Sequence, residues 1–407
     1  MTIIKTEQIQ IKPHHKLWNY CDWISFEAKN LQNKANYYVR QAFILSSKVS
    51  EDGKGIYMNY QDTYHFLKTS EEYKSLPAQT AQQTLKNVDR NWKSFFKAIK
   101  DWKKNKQKYK GRPKLPGYKH KIKGRSIVFF TNQQCQIKDG FIKFPKSEHK
   151  IKTRLKDVEL REVRLVPKGS LYTVEIVYQQ QVKVQELNRK RIAGIDLGVN
   201  NFITLVDNAG NEPVVIKGGM IKSMNQYYNK KRAQLMSYIG DKGISRRIQK
   251  LNIKRNNKIK DFMHKASKKI IDICSERQIG TLVVGYNEGW KQAINIGRRN
   301  NQTFVSIPFY QFLNMLAYKC TEAGIDLMTV NEAYTSGCSF LDDEESNKEN
   351  YNKKRRIKRG LFRTNERKLI NADVNSAYNI IRKAIPNVSF TDGIEGVVLH
   401  PFKLNLA

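Results

Sequence analysis

Apolar and polar positions change their period several times along the chain, and each change marks a new kind of element. Residues 1–12 alternate apolar and polar and predict a strand. Over 15–47, Leu17, Tyr20, Cys21, Ile24, Ala28, Leu31, Ala35, Val39 and Ala42 recur at helical spacing. A second long helix is predicted over 78–104, with Ala81, Leu85, Val88, Trp92, Phe95, Phe96 and Ile99 on one face. For Trp92 and Phe96 core packing is preferred to base stacking. The basic run Lys108-Tyr-Lys-Gly-Arg-Pro-Lys-Leu-Pro-Gly-Tyr-Lys119 predicts an irregular loop. From about 125 to 185 the pattern becomes short alternating runs, such as Ser126-Ile-Val-Phe-Phe and Leu171-Tyr-Thr-Val-Glu-Ile-Val-Tyr. They predict a small β-barrel that the N-terminal strand joins, with the helical region inserted between.

Beyond 190 the order changes again. Three strands are expected at about 191–197, 202–207 and 212–217, then basic helices over 220–237 and 244–277. A strand at Gly280-Thr-Leu-Val-Val-Gly285, a helix near 308–322, a strand at Ile325-Asp-Leu-Met-Thr-Val330 and a helix from 373 complete the series. That is the element order of an RNase-H-like α/β fold.

Charge identifies the partner. With 74 Lys+Arg against 37 Asp+Glu, the formal net charge is +37. A polyphosphate is the expected counterion, because cationic grooves gain affinity from counterion release. A membrane surface is the weaker alternative, since the cations are dispersed and no segment approaches 18 apolar residues. The N-terminus lacks the apolar region of a secretory signal. The five cysteines (Cys21, Cys135, Cys274, Cys320, Cys338) are scattered and odd in number, which points to a reducing cytoplasm and away from a four-cysteine zinc site.

Candidate chemistry rests on two acids. Asp196 ends the apolar run Arg191-Ile-Ala-Gly-Ile-Asp-Leu-Gly, and Asp373 opens the helical stretch Asn371-Ala-Asp-Val-Asn-Ser-Ala-Tyr. Phosphodiester cleavage by two Mg²⁺ ions about 4 Å apart needs such a carboxylate cluster. Gly198 would leave room for a phosphate. A third acid is expected at the end of the strand 280–285, where Gly285 stands instead. Glu332, just past the next strand, could reach the vacated place, since neighbouring strands are about 4.8 Å apart. Glu288 could fold back from a loop. Glu332 is preferred, and loss of the nuclease is the third possibility.

These motifs resemble those of the transposon-encoded TnpB proteins, RNA-guided DNA endonucleases related to type V CRISPR nucleases. The resemblance covers nearly the whole chain. It includes Leu76-Pro-Ala-Gln-Thr-Ala-Gln-Gln through Phe96, Gly111-Arg-Pro-Lys-Leu-Pro-Gly-Tyr-Lys119, Gly194-Ile-Asp-Leu-Gly-Val-Asn200, Tyr334-Thr-Ser336 and Asn371-Ala-Asp-Val-Asn375. It implies a wedge-type β-barrel (1–14 and 120–189) with an inserted helical recognition lobe (15–119). A RuvC-like nuclease domain (190–336 and 370–400) would follow, with an insert at 337–369. It also implies a guide RNA from the transposon end, double-stranded target DNA beside a short flanking motif, one chain per guide, no membrane, and a cytoplasmic location on the nucleoid. Asp196 and Asp373 match the first and last RuvC aspartates. Two departures stand out. The usual glutamate is Gly285, so Glu332 would complete the metal set. The family's zinc insert retains only Cys338, with Thr364 and Arg367 near the second pair, so no zinc is expected.

The same resemblance points Gln79, Gln82 and Gln83 at the duplex flanking the target, where Gln can read adenine edges. Lys222, Lys230, Arg232, Arg246, Arg247, Lys254, Arg255 and Lys258 belong to a helical stretch nearly devoid of acids, expected to track a heteroduplex or guide RNA. For Trp290, contact with the displaced strand and core packing are equal readings. The basic run Lys353-Lys-Arg-Arg-Ile-Lys-Arg359 reads equally as a guide for nucleic acid and as a solvated loop. Function therefore divides three ways: an RNA-guided Mg²⁺-dependent endonuclease, an RNA-guided repressor with a disabled nuclease, and a nonspecific nucleic-acid binder.

Overall fold

The computed structural model describes residues 1–406 apart from 52, 241–242, 288, 290–294 and 296, and apart from the side chain of residue 299. The chain divides into two compact units, Thr2–Gln181 and Val182–Ala407, the second also taking in Met1.

The first unit contains β1 (Thr2–Ile11), α1 (Trp18–Val49), α2 (Tyr60–Leu67), α3 (Glu71–Lys74) and α4 (Ala78–Lys104). Then come β2 (Val128–Thr131), β3 (Ile137–Lys138), β4 (Phe141–Lys143), β5 (Lys150–Lys152), β6 (Glu159–Lys168) and β7 (Leu171–Gln181). The antiparallel sheet runs β1-β7-β6-β2, and β3-β4-β5 form a separate small sheet. The N-terminal strand thus pairs with the last strand of its unit, across the inserted helices. The apolar faces of α1 and α4 share one core with the sheet. Trp92 is fully buried there, its Nε1 donating to Asn36 Oδ1 at 2.9 Å, so packing is its role. Phe96 packs against the same core. Helix α2, absent from the sequence reading, starts at a reciprocal cap: Asn59 Oδ1 accepts from the Gln61 and Asp62 amides, and Asp62 returns a bond to the Asn59 amide.

The second unit contains β8 (Asn188–Leu197), β9 (Asn201–Asp207), β10 (Val214–Lys217), α5 (Gly219–Ile239), α6 (Arg246–Glu276) and β11 (Ile279–Gly285). It continues with α7 (Arg298–Val305), α8 (Phe309–Ala323), β12 (Asp326–Val330), β13 (Leu361–Arg363), β14 (Leu369–Asn371), α9 (Ala372–Ala384) and β15 (Phe402–Leu404). The sheet order is β12-β11-β8-β9-β10-β15. Strands β8, β9 and β10 pair antiparallel, while β11 joins β8 and β12 joins β11 in parallel. Strand β15 adds a parallel edge that the sequence pattern did not suggest. One sheet face carries the core of α5, α6 and α8, and the other is covered by α9. No described helix is long and apolar enough to cross a membrane.

Candidate active site

Strand alternation decides which way Asp196 faces. Ala193, Ile195 and Leu197 belong to the core under α6 and α8, whereas Ile192 belongs to the core under α9. Gly194 and Asp196, two and four residues on, share the α9 face. A Cβ on Gly194 would stand 2.5 Å from both the Ala377 carbonyl oxygen and Ile381 Cγ1. The helix therefore rests directly on the strand backbone, because residue 194 has no side chain. Its N-terminus comes to the end of β8. Asn371 caps it, accepting from the amides of Asp373 (3.1 Å) and Val374 (3.3 Å), and Asp373 sits in the first turn.

The place of the missing glutamate is filled from the side. Val284 pairs with Ile195, so the register puts Gly285 beside Asp196. A Cβ on Gly285 would fall 3.2 Å from Glu332 Cβ and 2.5 Å from Ile380 Cδ1. Glu332 thus borders the space that a side chain at 285 would use. Its amide donates to Asn287 Oδ1 (3.0 Å), and its carbonyl accepts from the Thr335 hydroxyl (2.9 Å). Asn375 and Asn379, buried on α9, donate to the carbonyls of Cys338 and Thr335 and hold the chain after Glu332 in place.

Charge in this corner is poorly balanced. Burial, followed by the charges of Asp373 and Glu332, holds the Asp196 carboxyl well above the usual carboxylate range, while Arg356 pulls the other way. Burial pushes Glu332 up to about 7, and its Oε2 is buried with no hydrogen-bond partner. Asp373 is better provided: Oδ1 accepts from Arg356 Nη2 at 2.9 Å and Oδ2 from Asn201 Nδ2 at 2.7 Å. Lys217 Nζ donates to Asn201 Oδ1 at 3.1 Å. Among the described residues no three His, Cys, Asp or Glu close into a metal-holding cluster. The donors are all carboxylate oxygens, the set a hard divalent cation takes, and the orphaned Oε2 is a vacant acceptor.

Asp373 opens onto a cleft of about 890 Å³, whose walls include Gly198, Asn200, Asn201, Lys217, Arg356, Lys358, Arg359 and Lys403. Gly198 lines it, but a turn also requires that glycine: a Cβ would lie 2.4 Å from the Asn201 carbonyl oxygen. Sequence reasoning missed Asn201 and Lys217 altogether. Arg356 was seen only as one cation in a run, and nothing in the run distinguished it from its neighbours.

The other candidates divide by exposure. Lys230, Arg232, Arg246, Arg247, Lys254 and Lys258 are exposed on α5 and α6. Lys222 donates to Asn200 Oδ1 (2.7 Å) at the cleft wall. Arg255 turns inward, donating to Asn225 Oδ1 (2.9 Å) and the Ser306 carbonyl (2.7 Å) across the Tyr228 ring. Gln79 is tied to Thr131 and Gln133 of its own unit, and Gln82 bonds the Tyr73 hydroxyl, whereas Gln83 is half-buried on α4. Glu288 and Trp290 lie outside the described residues. In the insert, Cys338 is buried and Thr364 lies on the hairpin of β13 and β14. Polar bonds fasten the segment: Arg355 to Glu344 (2.6 Å) and Asn365 (2.7 Å), with Glu344 also accepting from the Ser339 amide (2.7 Å).

Strand order and the acids at its rim define an RNase-H-like class, and comparison with known proteins narrows it. Residues 175–291 match the OrfB_IS605 probable transposase family, and 309–380 match the Cas12f1-like TNB domain. The chain is 23% identical to the TnpB-like protein ORF457 of Acidianus two-tailed virus, over 87% of this chain and 81% of that one. It is 24% identical to the putative RNA-guided DNA endonuclease InsQ of Escherichia coli K12, over 76% and 75%. In three dimensions it resembles Cas12f1 in a complex with sgRNA and target DNA, with a TM-score of 0.54, 16% identity and coverage of 93% and 98%. The chain is thus similar to TnpB-like proteins over most of its length.

Proposed function

We propose that this protein is an RNA-guided, Mg²⁺-dependent DNA endonuclease of a mobile element, cutting double-stranded DNA next to a short flanking motif. The observation that carries the reading is at Gly285: that strand has no acid there, and Glu332 from beyond the next strand borders the vacant space with its Oε2 buried and without a hydrogen-bond partner. A protein that only binds has no chemical use for such a replacement. In this reading the sheets and helices of Thr2–Gln181 are the wedge-type barrel and recognition lobe, and residues 337–369 are a zinc-free insert in the nuclease domain. Asp196, Glu332 and Asp373 would hold the metal. Two Mg²⁺ bound there would supply an activated water and stabilise the leaving oxygen. Asn201 orients Asp373, and Lys217 with the Arg356–Arg359 cations would bind the scissile strand's phosphates. The exposed cations of α5 and α6 suit the heteroduplex backbone, with Gln83 left as the freest of the three candidate flank readers. Names of relatives support the same partners, guide RNA and target DNA.

A second reading, an RNA-guided binder that no longer cuts, draws on the Arg356–Asp373 ion pair, which occupies one of the acids. Plasmid cleavage with Mg²⁺ by the guide-loaded protein separates the two. The parent is expected to cut, and Asp196→Ala and Glu332→Ala to bind target without cutting. Binding without cutting by the parent would install the second reading. Full cutting by Glu332→Ala would move the third ligand elsewhere.

A further inference from the structure

Helix α1 carries a row of polar groups, two of them buried. Lys29, Asn33, Asn36 and Arg40 follow helical spacing along one face, and Lys29 and Asn36 are 2% and 4% exposed. Apart from Asn36 accepting from Trp92, and Lys29 bonding Asn30 and lying over the Phe26 ring, their partners are in the segment after α4. Asn33 donates to the Lys119 carbonyl (2.9 Å) and accepts from the Lys119 amide (2.9 Å). Asn36 and Arg40 donate to the Pro116 carbonyl (3.0 and 2.9 Å), and Lys29 to the Lys121 carbonyl (2.7 Å). The helix grips this strap by its backbone.

Held in this way, the strap packs Leu115 on the core and leaves its cations outside. Lys110, Arg112, Lys114, Lys119, Lys121 and Lys123 are all exposed, and no acid occurs between Asp101 and Asp139. Like charges crowded on one segment repel one another, and a merely solvated surface would relieve this with acids or with mobility. Here α1 fixes residues 116–121, which carry Lys119 and Lys121, and the sequence withholds the acids. Among the cations stands Tyr118, 49% exposed, with the Arg40 guanidinium over its ring at 5.3 Å. A flat ring beside a line of cations suits a strand whose bases are unstacked while its phosphates run alongside. A continuous duplex keeps its bases stacked and would leave the ring unused.

We infer that the strap, residues 108–123, is an RNA-binding site that takes the phosphate backbone of a structured RNA and stacks one unpaired base on Tyr118. The inference rests on the RNA partner of the proposed function, and adds a site remote in sequence from the nuclease acids and from the α5–α6 cations.

The test measures binding of a fluorescein-labelled RNA stem-loop, and of a DNA duplex of equal length, to the full chain over a salt series. Three proteins are compared with the parent: Lys114→Ala/Lys119→Ala/Lys121→Ala, Tyr118→Ala, and a control of equal charge, Lys12→Ala/Lys16→Ala/Lys68→Ala. The strap triple is expected to weaken RNA binding on the order of a hundredfold at 0.15 M salt and to flatten the salt slope by about 2 to 3. Tyr118→Ala is expected to weaken it about tenfold with the slope unchanged, and the control to change little. A strap triple that binds RNA like the parent, or a control that loses as much, would overturn the site. An equal or larger loss on the DNA duplex would overturn its assignment to RNA. If the parent itself bound no RNA, the proposed function would fall first, and that arm shows it separately.

Discussion

Replacing Glu332 by glutamine should stabilise the metal-free protein at alkaline pH while destroying its activity. Glu332 is raised by burial from 4.5 to about 7, and its Oε2 has no hydrogen-bond partner. Below pH 4.5 the group is protonated in both folded and unfolded chains and contributes no difference. Between 4.5 and about 7 the folded state holds a proton that the unfolded state has released, so stability falls as pH rises. Above 7 the cost levels off at about 3 kcal/mol, since each unit is worth about 1.4 kcal/mol. Glutamine is never charged, so Glu332→Gln recovers much of this at pH 8 and almost none at pH 4.5. An unpaired buried amide trims the gain by about 1 kcal/mol. Urea unfolding in EDTA at both pH values measures it. The expected outcome is a higher midpoint for the variant at pH 8, a midpoint no higher than the parent's at pH 4.5, and an advantage that shrinks when Mg²⁺ replaces EDTA. A variant less stable than the parent at pH 8 would refute the reasoning, because Glu332 would then have a partner or a solvated carboxylate.

Other consequences can be checked more briefly. Asp207 is fully buried and bonded to Arg277 at 2.9 Å, so Arg277→Ala should lower stability by about 3–5 kcal/mol, read by thermal melting. Gly194→Val should push α9 off the strand, costing several kcal/mol by denaturation and abolishing cleavage even where the chain still folds. Arg355→Met should open the insert, seen as faster proteolysis within 337–369.

The sheet of the second unit was legible because buried strands read as apolar runs: β8, β9 and β11 were located to within a few residues, as was the largely exposed edge strand β12. Asp196 and Asp373 were legible because each interrupts or opens such a run. Glu332 could be named because a strand end fixes where a side chain lies. Short elements escaped. Strand β15 has three residues and no period to detect, and α2 had only its capping pair, Asn59 and Asp62, as a signal. Long cationic side chains escaped too. A helical pattern says which face Arg255 occupies, but Asn225 and Ser306, which draw it inward, come from other segments. Arg356 met Asp373 only once the insert folded back to the first turn of α9.

Holding the strap by carbonyl oxygens has a consequence for how the protein can change. The bonds that fix residues 116–121 end on atoms every amino acid possesses, so exchanging the outward side chains leaves the grip of α1 intact. Affinity for a nucleic acid and stability of the fold are then written on different atoms of the same segment. Mutation can raise, lower or redistribute the strap's charge without unfolding its host, which lets this protein keep pace with a changing RNA.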